Sequence, residues 1–113
     1  MEEFSLIYKR YGIIPKELLE KGYDLDVLGI SEIAWKRKEF FLIIQLLQEN
    51  KIPVLGGDVY SIKGGKIMLT YDSWFTNNDN GFDFISKSLD NAILYIANYE
   101  NRNGNDFIYS LVF

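Results

Sequence analysis

Residues 56–75, GGDVYSIKGGKIMLTYDSWF, constrain the fold of this chain more than any other stretch. Residues 67–71 alternate, with Ile67, Leu69 and Tyr71 to one side and Met68 and Thr70 to the other. A period of two marks a strand, because successive side chains point to opposite faces. Residues 52–62 suit a partner strand. Between the two, Gly64-Gly65 offers the positive φ angles that a two-residue hairpin turn demands. That turn fixes a register in which Ile62 faces Ile67, Tyr60 faces Leu69 and Asp58 faces Tyr71, all on one face. Leu55, Val59, Met68, Thr70, Asp72 and Trp74 then share the other. A four-residue loop keeps this register, and a three-residue loop shifts it.

The hairpin ends carry Asp58, Tyr60, Tyr71, Asp72 and Trp74. These five are the candidate site, readable as an active site, as a polar cluster that holds the fold, or as a surface for another protein. A carboxylate at the end of an apolar strip is costly if buried unpaired. The Tyr71 hydroxyl or backbone N–H groups are the available partners for Asp58. Gly56 and Gly57 just before it suggest a bulge or a close backbone approach. Either Asp58 pins that bulge, or the glycines open a concave spot where a partner reaches the carboxylate. Trp74 and Trp35 fit the core by size and apolarity. One face of the hairpin is expected to hold the core and the other to be free for contact.

Around the hairpin, residues 4–11 fit a short helix, and Pro15 opens a second one over 15–21 with Gly22 as its stop. DLDVLGI adds a turn before Gly29, and residues 32–35 suit a short strand. From about 37 to 49, Phe40, Ile43, Ile44 and Leu47 recur at helical spacing, flanked by Phe41 and Leu46. So wide a stripe calls for cover by both a sheet and a neighbouring helix. Residues 82–99 form the second long helix, with Ile85, Leu89, Ala92, Ile93 and Ile96 on one face. The Asn-rich runs at 77–80 and 98–105 read as loops, and the final DFIYSLVF as a strand. The expected fold is α+β or small α/β. It is a single-domain sandwich over 1–113, whose sheet of three to four strands holds a central hairpin packed by two long helices. A strand–helix–strand pass through 32–60 would set those strands parallel.

Composition narrows the chemistry. The chain has 113 residues, 48% hydrophobic and 16% aromatic, a globular balance for one core. It has neither Cys nor His. Disulfides, thiolate metal sites and a Ser-His-Asp triad are thereby excluded, along with the commonest general base. Gly65-Lys66 fails as a phosphate loop, since Tyr60 and Ile67 stand where Gly and Ser or Thr are needed. Residues 76–87 fail as a calcium loop, with Thr76 first and Lys87 twelfth. Asp58 and Asp72 fall on opposite faces, which does not suit a glycosidase pair. No cofactor or metal is implied. A net charge of −4 disfavours nucleic acid and steers toward a basic partner. The start, MEEFSLIYKRYG, is unlike a secretory leader, and no run reaches the ~20 apolar residues of a membrane span. A soluble cytoplasmic protein is the expectation.

The block IPVLGGDVY at 52–60, followed by TYDSWF at 70–75, resembles the Immunity protein 40 family of bacterial polymorphic toxin systems. LLEKGYDLDVLGISEIAW before it and SLDNAILYIANY after it extend the likeness over roughly 13–100. Lys36, Phe40 and the Asn-rich loop depart from the family's pattern. The resemblance implies a non-enzymatic antidote that binds a cognate toxin domain; on that reading Asp58, Tyr60, Tyr71, Asp72 and Trp74 are the candidate contacts, because they cluster at the hairpin ends. Two rival readings stand beside it. One is a small-ligand or enzymatic domain using an Asp58–Tyr71 pair, which requires a pocket beside Gly56 and Gly57. The other is a subunit of a larger complex, which requires a broad exposed apolar patch.

Overall fold

The computed structural model describes residues 11–76 and 83–113. The expected helix at 4–11 and loop at 77–80 therefore lie almost wholly outside the described residues. The elements run α1 (Lys16–Glu20), β1 (Tyr23–Asp24), a 3-10 turn (Leu25–Leu28), β2 (Ile33–Ala34) and α2 (Arg37–Glu49). Then come β3 (Gly56–Lys63), β4 (Lys66–Phe75), α3 (Phe84–Asn103) and β5 (Phe107–Tyr109). The fold class is α+β, with two antiparallel sheets of two and three strands.

The main sheet has the order β4-β3-β5, so β3 is central and β4 lies at an edge. The 32–60 pass does not make two adjacent parallel strands. β2 joins β1 in the small sheet, and Trp35 bridges antiparallel to Tyr109. β5 is itself antiparallel to β3, so it is inserted between the Trp35 segment and β3. β1 went unforeseen because a two-residue strand carries no alternation to read.

α2 matches its expected span and buries Phe40, Ile43, Ile44 and Leu47 against α3 and β5. α3 runs four residues past the expected 99, turning Asn101 and Asn103 into helix. Two side chains explain the extension. Tyr99 is buried between Phe107 and Tyr109, at centroid distances of 5.0 and 6.5 Å. Glu100 accepts the Tyr109 hydroxyl at 2.7 Å. These contacts outweigh the weak helix preference of Asn.

Both faces of the sheet are covered at β3 and β5, contrary to the expectation of one free face, while β4 stays mostly exposed. Val59, Trp74 and Tyr109 join the larger core with α2 and α3. Tyr60 and Ile108 point the other way, into a second cluster with Leu25 and Ala34. Residues 23–35 supply that second cover, by folding the 3-10 turn over the face that the hairpin alone would leave open.

Candidate functional site

The two-residue turn forms as the sequence requires. Gly64 and Gly65 have φ of +56° and +77°, and Lys63 pairs with Lys66 across them. Ile62 faces Ile67 and Tyr60 faces Leu69. Beyond that the register breaks. Asp58 faces Ser73, not Tyr71, because β4 spends four residues from 69 to 73 where β3 spends two. The bulge therefore sits at residues 70–72 of β4, and not at Gly56-Gly57. Tyr71 takes φ +66° there and is 87% exposed. Thr70 fastens the bulge: its hydroxyl donates to the Val59 carbonyl at 2.7 Å and accepts from the Asp72 N–H at 3.1 Å.

Gly56 and Gly57 serve the other expected purpose, close approach. A Cβ on Gly57 would strike the Ser110 carbonyl oxygen and the Trp74 ring. One on Gly56 would strike the Trp74 carbonyl. The glycines are filled in by neighbouring backbone and indole, so they do not open a concave spot. With the Asp58↔Ser73 register, Asp58 and Tyr71 are not cross-strand partners.

The remaining candidates divide by depth. Trp74 is buried and stacks on Tyr95 at 4.9 Å, with Phe40 at 6.0 Å on edge. Its Nε1 has no acceptor among the described residues. Tyr60 is buried in the second cluster, and burial followed by the nearby Asp58 and Glu32 carboxylates pushes its phenol pKa up. Asp58 is half-buried. Its backbone pairs with Ser110, donating to the Oγ at 3.1 Å and accepting from the N–H at 3.0 Å. Asp72 lies on the helix side, as expected from its shared face with Trp74, and accepts the Tyr99 hydroxyl at 2.8 Å. Burial, then the Asp72 hydrogen bond, pushes the Tyr99 pKa up to about 12. Of the five candidates, only Tyr71 and Asp72 present exposed side chains, and Asp72 is held by Tyr99.

Four participants escaped sequence reasoning. Tyr95 and Tyr99 lie within the expected helix of residues 82–99 and extend its apolar face at a spacing of four, beyond the residues assigned to that face. Glu100 closes a small polar unit, accepting from Tyr109 and pairing with Arg37 at 3.6 Å. Burial and this carboxylate drive the Tyr109 phenol well above its ordinary value. The unit borders an open groove of about 650 Å³ between the start of α2 and the end of α3. Ser110, buried under Gly57, had no sequence signal at all.

No three acidic side chains among the described residues gather as a metal site. No helix among them is long and apolar enough to cross a membrane. Comparison with curated proteins and with solved structures gave no match. The model of the family described as Immunity protein 40 matches residues 24–113, which include the whole main sheet, both long helices and the hairpin. On that match, the chain belongs to the Immunity protein 40 family.

Proposed function

We propose that this chain is the antidote of a bacterial polymorphic toxin system. It binds a cognate toxin domain in the cytoplasm and blocks it stoichiometrically, by covering the active site or a surface beside it. It performs no reaction of its own. The family match over 24–113 carries the reading. The hairpin register supports it, since Asp58 does not face Tyr71, the one catalytic pairing that the sequence offered. The net charge of −4 favours a basic toxin domain by steering its approach.

The test is co-expression with the C-terminal toxin domain encoded beside this chain's gene. Cells making both should grow, and the two chains should elute as a 1:1 complex. Continued killing, with no complex formed, would overturn the proposal.

A further inference from the structure

The two edges of the main sheet differ. The β5 edge is occupied, because the Trp35 N–H and carbonyl exchange hydrogen bonds with Tyr109 at 2.9 and 2.8 Å. The β4 edge has no strand beside it among the described residues. Its open groups follow from the register. The Ile62 N–H points away from β4 and donates to the Asp106 carbonyl at 2.8 Å. Opposed residues in such a pair both turn their polar groups outward, so Ile67 directs its N–H and carbonyl away from β3. Leu69, two residues on and opposite Tyr60, does the same.

Two features on this edge are unfavourable for the chain alone. Lys63 and Lys66 stand directly opposite each other, and like charges so placed repel. Neither has a carboxylate partner among the described residues. Tyr71 holds a left-handed φ that bulky residues avoid, and its ring packs on almost nothing. Strain with no internal return is a mark of a site built for something outside the chain. Phe75, 75% exposed, extends the apolar edge.

We propose that the toxin domain supplies an extended segment that adds to β4 as a fourth strand. It pairs with the outward groups of Ile67 and Leu69, sets a carboxylate against Lys63 and Lys66, and receives the Tyr71 ring. Main-chain pairing of this kind gives affinity, while the flanking side chains give choice of partner. The bulge and the two lysines confine pairing to a few residues, which also guards the edge against indiscriminate strand addition. This deepens the antidote reading and rests on it.

The experiment uses the full chain and the toxin domain encoded beside its gene. Leu69→Pro removes an N–H that β3 does not use, a position where an edge strand tolerates proline. Tyr71→Gly removes the ring and suits the positive φ. A Lys63→Glu, Lys66→Glu double variant reverses the charge. Each should weaken binding tenfold or more, and hydrogen exchange at Ile67 and Leu69 should slow on complex formation. Wild-type binding with all three variants at unchanged Kd and no added protection would overturn the edge proposal and leave the antidote reading standing. Failure of the wild type to bind or rescue would overturn both. Should Leu69→Pro fail to fold, Tyr71→Gly and the exchange data decide.

Discussion

Gly57→Ala tests most directly why the glycine pair precedes Asp58. The added methyl meets two obstacles at once, the Ser110 carbonyl oxygen and the Trp74 ring. Neither can step aside. Ser110 donates its N–H to the Asp58 carbonyl at 3.0 Å, and Trp74 is wedged against Tyr95 and Phe40. Overpacking of this kind costs about 1–3 kcal/mol. Displacing β5 enough to relieve it strains the Asp58–Ser110 bonds, each worth about 1 kcal/mol net. Together these give about 3–4 kcal/mol, which at ~4 °C per kcal/mol for a domain of this size lowers Tm by about 12–16 °C. Thermal unfolding followed by circular dichroism reads this directly. A companion Gly57→Ala, Trp74→Leu variant frees only the ring side, so it should stay well below Trp74→Leu alone. Loss of less than about 3 °C in Gly57→Ala would refute the close-approach account and return Gly57 to a merely flexible role.

Other perturbations separate structural from exposed residues. Trp74→Ala should cost about 3–5 kcal/mol in chemical denaturation, the range for a buried aromatic, whereas Asp58→Ala should stay within about 0.5 kcal/mol because, among the described residues, Ser110 meets its backbone and not its carboxylate. Tyr71→Gly should leave stability unchanged or raise it by up to about 1 kcal/mol, as relief of the left-handed strain offsets the extra freedom of the unfolded chain. Burial, then the Asp72 hydrogen bond, pushes the folded Tyr99 phenol up from the ordinary 10.0 to about 12. Between those values the unfolded chain has released the proton that the folded chain keeps, so stability falls as pH rises through that window. Tyr99→Phe should flatten part of the decline in pH-dependent denaturation.

What the sequence disclosed follows from how local each signal is. The hairpin turn, α2 and the pairing from Lys63↔Lys66 to Tyr60↔Leu69 depend on neighbours in the chain, and alternation or helical spacing reports them. The bulge at 70–72 does not. TYDSW reads as uninterrupted strand, and only Thr70 reaching the Val59 carbonyl makes the extra residues fit. The covered second face was equally hidden, because Leu25 and Ala34 meet Tyr60 and Ile108 across large sequence separations. The end of α3 was misread for a related reason: its Asn residues argue locally for a loop, and distant contacts from Tyr99 and Glu100 overrule them.

These departures bear on how a partner can be held. Tyr60 is anchored on one side of the hairpin and Trp74 on the other. A substitution at either would act on binding through the shape of β3 and β4 and not through contact. Beyond the parts closed over Tyr60 and Trp74, the hairpin offers another protein the exposed side chains of β4, among them Met68, Leu69, Tyr71 and Phe75. The Thr70 clasp holds the bulge by two hydrogen bonds whether or not a partner is bound. Little conformational entropy is then lost on association, and a short run of main-chain pairing can give useful affinity. The strain at Tyr71 fits that economy. It is fixed during folding by the Thr70 clasp, so the ring is presented in place without being ordered at the moment of binding.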